Sequence, residues 1–64
     1  KDFIFAETYY KKVIEKKPNS ALAFLGLGET YINMNKKTEA NNCFQKVLSI
    51  EPNNLEAKKY LSKK

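Results

Sequence analysis

Pro18 and Pro52 stand 34 positions apart, and each opens a near-identical phrase, Pro18-Asn19-Ser20 and Pro52-Asn53-Asn54. That period is the signature of a helical repeat, in which each unit buries its apolar side against the next. Sliding the chain by the same interval superposes Ala6 on Ala40, Lys12 on Lys46, Val13 on Val47, Ala23 on Ala57 and Leu27 on Leu61. Tyr10 meets Phe44 and Ile14 meets Leu48. The matched positions are mostly apolar or small, so what repeats is a packing interface.

Pro18, the Asn33-Met34-Asn35 stretch and Pro52 divide the chain into four helical segments, expected near 2–16, 20–34, 37–50 and 54–62. In the first, Phe3, Ala6, Tyr10, Val13 and Ile14 fall at helical spacing, and Phe5 and Tyr9 widen the apolar face. Pro18 ends it, because the ring excludes the preceding residue from helical geometry. The second segment sets Phe24, Leu27, Gly28 and Tyr31 on one face, with Leu25 and Ile32 on an adjoining one. Asn19 or Ser20 caps its start. Asn35 ends it, since asparagine tolerates the left-handed conformation of a helix terminus. Ala40, Cys43, Phe44, Val47 and Leu48 give the third segment the cleanest amphipathic stripe of the four. The fourth starts at Asn53 or Asn54, with Asn53 and Glu56 spaced as a capping box. Leu55, Ala57, Tyr60 and Leu61 pack inward from it, while Lys58, Lys59, Lys63 and Lys64 leave its far side polar, as suits the end of a stack.

Composition narrows the function classes. With one cysteine and no histidine the chain lacks an intramolecular disulfide, the commonest metal ligand and the commonest general base. A metalloenzyme or a histidine-dependent hydrolase is not expected, and no cofactor is implied. Cys43 reads as a small half-buried residue and not as a nucleophile, because nothing activates it. No apolar run approaches the length that spans a bilayer, and the apolar start is too short for a signal peptide, so a soluble, cytoplasmic protein is expected. The absence of an initiator methionine suggests a piece of something longer. The net charge of +5 raises nucleic acid as a partner. All twelve basic residues are lysine, however, and arginine is the residue that makes bidentate contacts to guanine and phosphate. Tyr9, Tyr10, Tyr31 and Tyr60 are spread over three helices and form no base-stacking platform. The charge therefore reads as a solvated surface, with a basic nucleic-acid-binding domain only a third alternative.

Ala23-Phe24-Leu25-Gly26-Leu27-Gly28-Glu29-Thr30-Tyr31, followed by Ala40, Phe44, Val47 and Pro52, resembles the tetratricopeptide repeat. The resemblance implies an all-α fold of antiparallel helix-turn-helix pairs, a fragment of an α-solenoid. Residues 21–54 match a complete repeat, 1–20 the second helix of a preceding one, and 55–64 a truncated next one or a capping helix. Two departures are mild: the family usually has tryptophan or another aromatic at Phe24 and alanine at Val47. Physical reasoning adds that Gly28 and Ala40 lack bulk, so the second and third helices are expected to cross most closely there. A glycine inside a helix is destabilising by ~1 kcal/mol relative to alanine, and close approach supplies a reason for Gly28. Gly26 lies off that face and reads as incidental.

By the same resemblance the chain is a non-catalytic protein-protein interaction module, a scaffold whose concave side holds a peptide or a partner helix. The groove residues carried over are Leu22, Leu25, Gly26, Glu29, Ile32 and Asn33, with Glu56, Lys59 and Lys63 from the last helix. Glu29 and Glu56 read as groove charge, because no general acid partner or pocket makes them a catalytic pair. One subclass of the family grips acidic tails of chaperones with lysine and asparagine. Gly26 and Glu29 stand where its asparagines are expected and Glu56 where it has lysine, so Lys59 alone makes a poor carboxylate clamp. The alternative reading is a self-associating structural module. Phe3, Ile4, Phe5, Tyr9 and Tyr10 would form its face, because the helix that pairs with the first one in the family has no counterpart here.

Overall fold

The computed structural model describes residues 2–62 and contains four helices: α1 (Phe3–Lys16), α2 (Ala21–Asn33), α3 (Lys37–Ile50) and α4 (Leu55–Ser62). Lys63, one of the expected groove residues, lies outside the described residues. The helices follow one another with short turns, and the main packing is between sequence neighbours, α1 on α2, α2 on α3 and α3 on α4.

The 34-residue period is written in the backbone hydrogen bonds. Both α1 and α3 close on a valine carbonyl, with Lys17 N–H donating to Val13 O at 2.7 Å and Glu51 N–H to Val47 O at 2.7 Å. Each of those residues precedes a proline, which holds it in extended geometry and stops the helix. The following helices start alike. Ser20 Oγ accepts from Ala23 N–H at 3.2 Å, and Asn54 Oδ1 accepts from Ala57 N–H at 2.9 Å. The cap of α4 is thus Asn54, the register partner of Ser20, and the capping box expected from Asn53 and Glu56 is not what starts it. Asn54 Nδ2 also donates to Glu51 Oε1 at 3.0 Å, which fixes the cap's orientation.

The α2–α3 turn is a Schellman motif. Asn35 takes φ 61°, the one positive φ of a non-glycine residue among those described. Lys36 N–H then reaches Tyr31 O at 2.9 Å and Asn35 N–H reaches Ile32 O at 3.1 Å, satisfying two carbonyls that the end of α2 would otherwise leave unpaired.

The core sits between α2, α3 and α4. Phe44 and Val47 are its largest fully buried side chains, joined by Ala40 and Ala57, and Leu27, Tyr31 and Cys43 close around them. Met34 covers an edge of this cluster. Both glycines of α2 are closely approached. Gly28 is met by the Phe44 ring, which takes the space a methyl group there would need. Gly26 is not incidental: the Tyr10 ring from α1 lies over it and occupies the space a methyl group would take.

Candidate functional site

Helix α2 presents two faces, and the one turned from α3 carries the site. Residues 22, 26 and 29 recur at i, i+4 and i+7, so Leu22, Gly26 and Glu29 form one stripe along the helix. α1 brings Tyr9 and Tyr10 to one side of that stripe and α4 brings Glu56 to the other. Together with Leu25 these residues line an open cleft of about 430 Å³. A smaller hollow of about 110 Å³ adjoins it, lined by Val13, Ser20 and Ala23 and again by Tyr9, Tyr10 and Leu22. Tyr9 and Tyr10 stand edge to face, their ring centroids 5.3 Å apart at 70°. Leu22 is 78% exposed, a solvated leucine shared by both hollows.

The residues expected in a groove divide accordingly. Leu22, Gly26, Glu29 and Glu56 meet at the cleft. Leu25 also reaches it, but only 6% of its surface is exposed; it is a core residue whose edge forms the floor, not an exposed apolar contact. Ile32 and Asn33 are exposed further along α2 and Lys59 is exposed on α4, and none of the three lines the cleft. Of the face expected to self-associate, Tyr9 and Tyr10 line the cleft instead. Ile4 and Phe5 are exposed and Phe3 is half-buried, and none of these lines either hollow. The 34-residue register held the signal for Tyr10: it is the counterpart of Phe44, and its ring lies over Gly26.

Two tyrosine–glutamate contacts set the electrostatics. Tyr60 O–H donates to Glu29 Oε2 at 3.3 Å, tying α4 to α2 through a carboxylate that lines the cleft. Burial raises the Tyr60 pKa, and the charge and hydrogen bond of Glu29, then the charge of Glu56, raise it further. Tyr31 O–H donates to Glu7 Oε2 at 3.0 Å, and Lys11 Nζ pairs with the same oxygen at 2.9 Å. The Lys11 hydrogen bond, then that of Tyr31, hold Glu7 below the usual carboxylate range. Burial pushes the Cys43 thiol up to about 11, so at neutral pH it is protonated and a poor nucleophile. Among the described residues no group of three or more Cys, Asp or Glu side chains is placed to hold a metal ion, and no helix is long and apolar enough to cross a membrane.

Comparison with known proteins agrees with this architecture. The tetratricopeptide repeat profile matches residues 1–63. The chain is 43% identical over 54 residues to the uncharacterized protein ycf37 of Cyanophora paradoxa, an alignment covering 84% of this chain and 31% of that protein. The chain therefore spans about a third of that relative's length. No solved structure shows a significant match. The repeating caps, the helix pairs and the profile together place the chain in the tetratricopeptide repeat family, whose members in general serve protein–protein interaction without catalysis.

Proposed function

We propose that this chain is a non-catalytic interaction module that holds a peptide or a partner helix in the cleft lined by Leu22, Gly26, Glu29 and Glu56, with Tyr9 and Tyr10 as aromatic anchors. The observation that carries this reading is the meeting, around one open cleft, of an exposed leucine, two tyrosine rings and two carboxylates drawn from three helices. The volume falls within the range of ligand sites, and its residues stand on helices rather than loops. Little ordering entropy is then lost when a partner docks, which favours affinity. Aromatic side chains at the centre of such a surface supply most of the binding energy in many interfaces.

Peptides selected from a displayed random library against the chain test this. Binders should be lost on Leu22→Asp while the helical circular dichroism stays unchanged. Binders that keep their affinity for that variant would place binding elsewhere and sink the reading. A second reading, self-association, is favoured by the exposure of Ile4 and Phe5 on α1, a helix in which no residue is fully buried. Sedimentation across a concentration series separates the two. Association that disappears in Phe3→Ser/Phe5→Ser supports the second reading, and a monomer at all concentrations rules it out.

A further inference from the structure

The chain carries a net charge of +5, yet among the described residues both charged side chains that line the large cleft are acidic, Glu29 and Glu56. Among the described residues the one ion pair is Lys11–Glu7, neither member of which lines the cleft, and no described lysine lies within 4 Å of either cleft carboxylate. Tyr60 donates one hydrogen bond to Glu29 and leaves its other oxygen as an acceptor. Glu56 stands one turn before Tyr60 on α4, and it lines the cleft together with Glu29, which ends the stripe on α2. At the other end stand exposed Leu22 and Tyr9. The cleft is thus apolar at one end and anionic at the other.

Spacing limits what can use both ends at once. Leu22 and Glu29 are seven residues apart on α2, about 10 Å along the axis at 1.5 Å per residue. An extended peptide advances about 3.3 Å per residue, so its residues three positions apart span the same distance. The lysines elsewhere on the surface do not cancel the local field, because at physiological salt exposed charges are screened beyond about 8 Å.

We propose that the cleft takes a cationic segment of a partner protein: an extended stretch with a bulky apolar residue against Leu22 and Tyr9 and, three positions away, an arginine or lysine against Glu29 and Glu56. This rests on the groove reading and gives its occupant a charge and a spacing. Arginine suits the site better than lysine, since its planar fork satisfies carboxylates at fixed geometry. The chain contains no arginine, so a second copy of it is the poorer occupant. An acidic tail is repelled by the same two carboxylates.

The test uses three fluorescein-labelled twelve-residue peptides, otherwise Gly, Ser and Ala: one with Leu-x-x-Arg at its centre, one with Leu-x-x-Glu and one with Ala-x-x-Arg. The same random-peptide selection is run on the wild type and on Glu29→Gln/Glu56→Gln. Selected sequences should be enriched in an apolar residue three positions from arginine or lysine, and anisotropy should rank Leu-x-x-Arg first. The double glutamine variant should weaken that peptide at least tenfold, with unchanged circular dichroism. Added salt should weaken it on the wild type alone. Enrichment of acidic or uncharged sequences whose binding still depends on Leu22 would overturn the cationic proposal and leave the groove reading standing. Binders indifferent to Leu22→Asp, or a selection that yields none, would overturn both.

Discussion

Two interfaces in this molecule are related by the 34-residue shift, and they are filled differently. Where α1 meets α2, the Tyr10 ring lies over Gly26. Where α3 meets α4, the counterparts are Phe44 and Tyr60, two rings stacked 4.4 Å apart and parallel within 1°. On α3 Ala40, Phe44 and Val47 are wholly buried, whereas their counterparts Ala6, Tyr10 and Val13 on α1 are half-buried. The same residue types at the same period give one closed interface and one half-covered one. The reason is what lies behind each helix: α3 is held between α2 and α4, and α1 packs chiefly on α2.

Truncating the two aromatic counterparts is the strongest test of that contrast. Phe44→Ala should lose ~3–5 kcal/mol, as expected for a fully buried phenylalanine, and Tyr10→Ala only ~1–2 kcal/mol. Urea denaturation reads both; should the alanine variant of Phe44 not fold, Phe44→Leu gives the milder comparison. Equal losses at the two sites would mean that the interfaces are energetically alike. The glycines offer a smaller effect. Gly28→Ala drives a methyl into the immobile Phe44 ring and should cost ~1–3 kcal/mol, while Gly26→Ala meets the outer end of half-buried Tyr10, which can swing aside. The helix-propensity gain of ~1 kcal/mol then leaves Gly26→Ala near neutral in stability. A Gly26→Ala variant as damaged as Gly28→Ala would show Tyr10 to be as fixed as Phe44.

Titration sharpens the comparison further. Cys43, Tyr31 and Tyr60 all hold their protons more tightly in the folded chain, through burial first in each case. Above about pH 9 the unfolded chain sheds these protons and the folded chain keeps them, so stability should fall as pH rises. Glu7 runs the other way, its pKa held down by Lys11 and then Tyr31. Its contribution is present above the ordinary carboxylate pKa and lost as pH falls through the lowered one. That acid-side loss should be the smallest effect of all, because the pair is solvated, and it should be felt at the α1–α2 contact. Amide chemical shifts along a pH series locate each change. Acid-induced shifts around Glu7 and Tyr31 that are already complete within the ordinary carboxylate range would contradict the assignment.

What was legible in the sequence was what local chemistry dictates. The prolines stop α1 and α3, Ser20 caps α2 and Asn35 turns the chain with its left-handed backbone, each a property of a few adjacent residues. The repeat register followed because identical interfaces need identical residue types. The unread parts depend on how helices lean on one another. Leu25 belongs to the core and Leu22, three residues earlier, does not; that division is set by how the neighbouring helices pack around α2. Gly26 is needed only because Tyr10 reaches it from another helix, a meeting 16 positions apart. Asn53 and Asn54 both carry a capping side chain, and only the register with Ser20 chooses between them. Of the groove implied by the family resemblance, Leu22, Leu25, Gly26, Glu29 and Glu56 line the cleft, while the share taken by Tyr9 and Tyr10 comes from the packing of α1.

Because each helix packs chiefly on the one beside it in sequence, no remote strand of chain must be found before contacts begin to form. A folding route then opens at the α2–α3 hairpin, where Asn35 turns the chain and the core is densest, and grows outward by one helix on each side. Chains built from such local contacts fold in micro- to milliseconds. The same geometry orders their breathing: backbone amides of α2 and α3 should exchange with solvent last, and those of α1, none of whose residues is buried, among the first.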